Sequence, residues 1–388
     1  MEEYGGSLSN LTLTQQKNKE LTTILAEYWG VIQARLFPYL SGCVEEPLTE
    51  KLKQVIRVLE FVRIETHVAC PLGHWLGRPL YDRRCLARAF VAKAVYDVPT
   101  TEALIELLRH HQSLRRLCGW ERRNQVPSSA TFSRAFAEFA REGLCDVVHV
   151  ALIDKHIEDQ IVMHVSRDST EVIAREKPVK KEKAPKVSKK RGRPKKGEVR
   201  PAPEARRVVI QMGQSVAEAL SDLPKVCDWG TKKDTGGHQH SWKGWKAHID
   251  WADGNIPINV VTTSASVHDS QAAIPMARCT AQRITSLYDL MDSAYDVPEI
   301  RRVSEQLGHV AIIDPHPRRS GVPAEKIFDP ATARRYQERT TAERGNSRLK
   351  DEFGFRHLRV RGHPKAHLHI MFGIVALFAD QMLKPFSG

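Results

Sequence analysis

Short β-branched apolar runs separated by helix-like segments constrain this chain more than any other feature. Ile161-Val162-Met163-His164-Val165-Ser166-Arg167-Asp168 closes on an acid followed by Ser169 and Thr170, as a buried strand reaching a sheet edge does. Trp242 to Trp251 and Ile256 to Thr263, joined through Ala252-Asp253-Gly254-Asn255, read as a hairpin with a glycine-containing connection. Ser270 to Ala281 has helical composition. Ile284 to Met291 then ends on Asp292, a helix-like Val297 to Leu307 follows, and His309 to Pro315 forms a last apolar run. The order is strand, two-strand hairpin, helix, strand, helix, strand, helix, which is an α/β arrangement. Active sites of open α/β sheets gather at strand ends and adjacent helices, so Asp168 and Asp292 are candidate site carboxylates. Asp289, Asp296 and Asp314 are the nearest alternatives.

The last helical segment carries an unusual face. If Tyr336 to Lys350 is one helix, Tyr336, Arg339, Glu343 and Lys350 fall within an arc of roughly 60° at about 100° per residue. That face presents a carboxylate flanked by groups that bind phosphate. The ordinary explanation of such a segment is a surface helix laced by i,i+4 ion pairs. The spacing Tyr, two residues, Arg, three residues, Glu, six residues, Lys nevertheless resembles the signature of the DDE transposases of prokaryotic insertion sequences, in the subgroup that shares this pattern.

The resemblance implies a ribonuclease H-like catalytic core, a mixed sheet with helices, whose first and fourth strands and late helix hold three acids. Those acids are then Asp168, Asp292 and Glu343, as catalytic and metal-binding residues, while Tyr336, Arg339 and Lys350 grip transposon-end phosphates. Two divalent ions about 3.5 to 4 Å apart can activate a water or a 3′-hydroxyl on one side of a phosphorus and stabilise the leaving oxygen on the other. Mg²⁺ prefers oxygen ligands, so Asp and Glu suit it better than His or Cys, and Mn²⁺ is the expected substitute.

Charge points to a polyanionic partner. The chain carries a formal +13. Between Lys177 and Arg200, nine lysines and three arginines face two glutamates, so ten of those thirteen charges sit in one basic insert. At its centre, Lys190-Arg191-Gly192-Arg193-Pro194-Lys195-Lys196 resembles the AT-hook, whose arginines enter a narrow A·T minor groove while lysines meet phosphates. The bland alternative is a basic, solvated linker. Both readings make it a tether without a packed core.

The N-terminal third reads as all-α: Leu21 to Phe37, Leu52 to Val62, Arg83 to Tyr96, Thr101 to Arg109 and Gln112 to Cys118 have helical spacing, and a further helix starts after Ser128 or Ser129. Its last helix could read DNA in a helix-turn-helix, although Phe132, Ala135, Phe136 and Phe139 also supply an ordinary buried stripe. Seven cysteines without a C-x-x-C pair suggest reduced thiols in a cytoplasm. His238, His240 and His248 fit ordinary polar positions better than a zinc site. The apolar stretch His369 to Leu383 is interrupted by Gly373, Asp380 and Gln381 and reads as a core helix, so no membrane partner is expected.

The expected organisation is a helical DNA-recognition domain over residues 1–150 and a ribonuclease H-like catalytic domain over 151–388, interrupted by the insert at 177–200. The expected function is transposition: binding of inverted-repeat ends in double-stranded DNA, metal-dependent cleavage, and transfer of the 3′-hydroxyl to target DNA, by a homodimer in the DNA complex, cytoplasmic and nucleoid-associated. A noncatalytic transposase-derived repressor or architectural DNA-binding protein is the alternative, and a stand-alone nuclease a third. Intact acids argue against the binder, since carboxylates facing phosphate repel it.

The insert yields a direct test. Deleting residues 177–200 should weaken nonspecific duplex binding and flatten the dependence of log affinity on log salt, because fewer counterions are released. An unchanged slope removes the segment from the DNA contacts.

Overall fold

The structure is a computed structural model that describes residues 49–69, 81–158, 160–179, 205–233, 236–315 and 328–384. Leu21 to Phe37, Cys43, Cys70 and the AT-hook-like residues Lys190, Arg191, Arg193, Lys195 and Lys196 lie outside the described residues.

Among the described residues six α-helices come first: α1 (Glu50–Val62), α2 (Arg83–Val95), α3 (Thr101–His110), α4 (Gln112–Cys118), α5 (Ser129–Glu142) and α6 (Leu144–His156). Their starts follow local chemistry. The Thr49 hydroxyl accepts from Leu52 N–H at the head of α1, and the Thr100 hydroxyl from Ala103 N–H at the head of α3. On α5 the stripe Phe132, Ala135, Phe136 and Phe139 is buried, which leaves Ser129, Ser133 and Arg134 exposed.

A six-stranded mixed sheet follows, built from β1 (Ile161–Ile173), β2 (Asp228–Lys233), β3 (Gln239–Ala252), β4 (Ile256–Ser264), β5 (Thr285–Met291) and β6 (Val310–Ile313). β1 is central: it pairs antiparallel with β3 and parallel with β5, and β5 pairs parallel with β6. Along its other side β3 pairs antiparallel with β2 near its start and with β4 beyond Gly244. Short helices α7 (Arg207–Gln211) and α8 (Val216–Ser221) precede β2, and α9 (Ser270–Ala281) and α10 (Pro298–Gln306) form the crossovers around β5. The chain closes with α11 (Pro330–Gln337), α12 (Thr340–Glu352) and α13 (His363–Met382).

Side-chain alternation along β3 divides the core. Trp245, Ala247, Ile249 and Trp251 are buried in one cluster together with α1 to α6, α12 and α13. The helical segment and the sheet therefore share one core, with α13 as its spine. On the opposite face Met291, Tyr295, Ile300 and Ile313 pack with Ala273, Ile274 and Ala277 of α9. Asp250 turns towards that second face, where Arg167 of β1 grips it through Nε–Oδ1 at 2.7 Å and an Nη2–Oδ2 bond of 3.0 Å, both side chains fully buried. Burial opposes the Arg167 charge, but Asp250 and Asp289 outweigh it and raise its pKa.

α12 lies close on β3 because residue 345 is glycine. A Cβ there would stand 2.6 Å from ring carbons of the fully buried Trp251. Alanine ordinarily stabilises a helix by about 1 kcal/mol over glycine, yet overpacking a rigid core costs about 1–3 kcal/mol. Gly345→Ala is therefore expected to lower stability in denaturant unfolding by a net of up to about 2 kcal/mol, and a gain in stability would contradict this packing.

Candidate active site

The parallel register of β1 and β5 sets Arg167 opposite Met291. The next residue along each chain is Asp168 on β1 and Asp292 just past β5, so the two acids stand side by side. Asp168 lies inside its strand, not at the end expected from the sequence. Thr170 and Val172 continue the buried alternation and pair with Ala247 and Trp245, which carries β1 on to Ile173. Asp292 ends its strand as expected, and its Oδ1 accepts from Ala294 N–H at 2.9 Å.

α12 brings in further groups. Asn346 donates from Nδ2 to Asp168 Oδ2 at 2.9 Å, while its own Oδ1 is buried without a hydrogen-bond partner. Glu343 stands one turn earlier, 57% exposed at its side chain and paired with Arg339 at 2.7 Å. The ordinary i,i+4 ion pair is thus present within the signature itself. Nor is Tyr336 to Lys350 one continuous helix. Glu338 and Arg339 separate α11 from α12, and successive N–H groups from Glu338 to Ala342, Thr340 excepted, bond to the carbonyl three residues back. This tighter 3₁₀-type winding breaks the regular 100° spacing that would put four side chains on one narrow face. The Ser166 hydroxyl, donating to the Glu338 carbonyl at 3.3 Å, pins that break beside Asp168 on β1.

The electrostatics join these pieces. Burial pushes the Asp168 pKa up to about 6, and the Asp292 and Asp269 carboxylates add to the rise against the Ser169 N–H and Lys232. Burial also raises Asp292, with Asp269 adding and the Ala294 N–H, Arg339 and Lys232 opposing. The Arg339 pKa is raised despite burial, by Tyr336, Glu343, Asp168 and Asp292. Burial takes the Tyr336 phenol up to about 12, opposed by Arg339, whose guanidinium lies 5.8 Å from the Tyr336 ring centroid. Lys350 is lowered by burial, Arg356 and Lys232 while Glu171 and Asp168 oppose. Three cations therefore sit within electrostatic reach of Asp168 or Asp292: Arg339, Lys350 and Lys232.

Two of the three alternative acids are committed elsewhere. Asp289 is buried and accepts from Ser304 Oγ at 2.7 Å, with His309 Nδ1 at 3.3 Å, and Asp296 pairs with Arg301 at 3.1 Å. Asp314 is partly buried, one carboxylate oxygen lacks a hydrogen-bond partner among the described residues, and burial raises its pKa while Arg339 opposes. Of the histidines, His248 is buried with Nε2 3.0 Å from the Thr263 hydroxyl, and His240 stands 3.3 Å from Glu171.

Sequence reading missed three members of this neighbourhood. Asp269 precedes α9 and bonds Lys246 Nζ at 2.9 Å and the Ser169 hydroxyl at 2.8 Å. An acid directly before a clear helical run is a recognisable signal. Lys232 lies on β2, a polar edge strand without periodicity, and nothing local announces it. Asn346 was visible as the residue three positions after Glu343.

Two adjacent, partly buried carboxylates, both raised by burial and by Asp269, form an all-oxygen donor set suited to a hard divalent cation. The fit is of two acids. Among the described residues no group of three or more His, Cys, Asp or Glu side chains converges to hold a metal ion, and Glu343 is engaged by Arg339. No helix among the described residues is long and apolar enough to cross a membrane.

Residues 206–379 match the family described as Transposase DDE domain, and residues 44–138 match Transposase domain (DUF772). The first match takes in Asp292 and Glu343 and begins after Asp168. No curated protein and no solved structure matches the chain. The two matched domains indicate a transposase of the DDE type.

Proposed function

We propose that the chain cuts DNA at the inverted-repeat ends of an insertion sequence and transfers the freed 3′-hydroxyls to target DNA, using Asp168, Asp292 and Glu343. The observation that carries this reading is the β1–β5 register, which sets Asp168 beside Asp292 under α12. Two Mg²⁺ ions, or Mn²⁺ in their place, would supply water or hydroxyl activation and leaving-group stabilisation when bound. Asp168 and Asp292 would hold them, and Glu343 would complete the set by leaving Arg339.

The cations have their own part. Arg339 neutralises acids in the ion-free chain and, once released from Glu343, is free to clamp a phosphate through two donors. Lys350 and Tyr336 then hold the DNA backbone near the scissile bond, and Asn346 keeps Asp168 in place by its amide. Residues 1–150 serve end recognition and 151–388 catalysis, with the basic insert holding flanking duplex. Two copies pair two ends in the cytoplasm.

Replacing Asp168, Asp292 and Glu343 singly by Asn, Asn and Gln keeps side-chain size and removes one charge. Each variant should bind end-bearing duplex and fail in both cleavage and strand transfer with Mg²⁺, whereas Asp314→Asn should cleave. Normal cleavage by all four would sink the enzyme reading. Cleavage by Asp292→Asn with loss in Asp314→Asn would reassign the second acid.

Stability gives a second, independent readout. The Asp168 pKa is raised from 3.8 to about 6 in the fold, so the ionised carboxylate opposes folding above that pH. The opposition fades as pH falls through about 6 and is gone near the ordinary value. Asp168→Asn should therefore gain about 1–2 kcal/mol at pH 8 without divalent ions, and about nothing at pH 4. A loss of stability at pH 8 would contradict the crowded-acid geometry.

A further inference from the structure

A cavity of about 360 Å³ lies where α2, the start of α3 and α5 meet the segment 353–361 and α13, away from the acids. Its floor is aromatic. Phe90, Phe136 and Phe372 line it, with ring centroids 5.0, 5.4 and 6.0 Å apart. Its rim is cationic: Lys93, Arg359, Arg361 and Lys365 line it, and among the described residues no Asp or Glu does. None of these four side chains has an ion pair or hydrogen bond with a described residue, although Arg348 and Arg167 elsewhere are fully matched by carboxylates.

Lys93 is the most constrained of the four. Burial lowers its pKa to about 8; Asp97 opposes and Arg359 adds to the fall. Asp97 is already 3.4 Å from His357 Nε2. An amine desolvated beside a guanidinium is a costly arrangement that an anionic ligand would relieve. The walls are fixed: Gly354 takes a left-handed turn at φ +76 with the position of a Cβ 3.7 Å from Ala94 Cα, and its carbonyl accepts from His369 at 3.0 Å. The volume falls in the range of small-ligand pockets. Apolar rings below unpaired cations match one chemistry, an aromatic ring bearing a phosphate.

We propose that this cavity binds one nucleotide unit of DNA, with its phosphate among Lys93, Arg359, Arg361 and Lys365 and its base on the phenylalanine floor. Stacking of a base on aromatic side chains is tolerant of sequence, and the cations hold the backbone beside it. The site would fasten DNA across the seam between the two family-matched regions. The proposal rests on the transposase reading only in taking DNA as the polyanion, and not on the three acids.

The test uses the full chain in EDTA, so that no cleavage is read. The probe is a short duplex with one unpaired 2-aminopurine, whose emission rises when the base leaves the stack. A saturable rise is expected in the wild type. Arg359→Ala/Arg361→Ala should weaken it about tenfold or more, while the exposed control pair Lys155→Ala/Arg302→Ala should change it less than about twofold. Ser133→Phe, at the exposed mouth, keeps every charge but fills the opening, and should abolish the rise while duplex affinity by anisotropy stays within about threefold. Competition by free dAMP at low concentration, with the same sensitivity to these variants, would assign the cavity to a mononucleotide and overturn the DNA assignment. A rise that survives Ser133→Phe, with the double variant no weaker than its control, would overturn the site altogether.

Discussion

The contact of Gly345 with the Trp251 indole is the constraint on which the candidate site depends. It lets α12 lie against β3 at a distance that no side chain at residue 345 would allow. Asn346, the next residue, thereby reaches Asp168, and Glu343 comes to the same edge of the sheet. Arg348 then ties the helix to α13 through Asp380 at 2.8 Å, while it also pairs with Glu352 of its own helix at 2.7 Å. The helix is held at both ends of its approach, so its site-facing side is set by packing before any ligand arrives.

Beneath that contact runs a separate electrostatic design. Arg167 and Asp250 neutralise each other on the α9 face of the sheet, one residue from Asp168, which turns to the other face. The buried guanidinium is saturated by its own partner. Asp168 and Asp292 stand side by side within electrostatic reach of Asp269, with Arg339 and Lys232 in opposition. Carboxylates crowded in this way oppose the fold, a cost that is common where a site is arranged for a ligand rather than for stability.

Elements with strong local signals were legible in the sequence. Ser270 to Ala281 and Gln112 to Cys118 are helices over those same residues, and the hairpin of β3 and β4 turns where the glycine predicts it. β2 was not legible, since Asp228–Lys233 is a polar edge strand held by its pairing with β3 rather than by its own alternation. The end of β1 was misplaced because Ser169 to Ile173 extends through long-range pairing, which no window of sequence contains. Asp168 and Asp292 were singled out from strand context, and the register sets these two residues side by side. The single face inferred for Tyr336 to Lys350 failed at one turn of 3₁₀-type bonding, while the i,i+4 ion pair weighed as the ordinary explanation is present between Arg339 and Glu343.

The central claim is that Asp168 and Asp292 form the fixed part of a divalent-ion site which Glu343 joins. Mn²⁺ binding to the full chain, followed by electron paramagnetic resonance as free Mn²⁺ disappears, tests it without any DNA substrate. Saturable binding is expected, lost in Asp168→Asn and in Asp292→Asn and weakened in Glu343→Gln. Equal Mn²⁺ binding by the wild type and all three variants would contradict it.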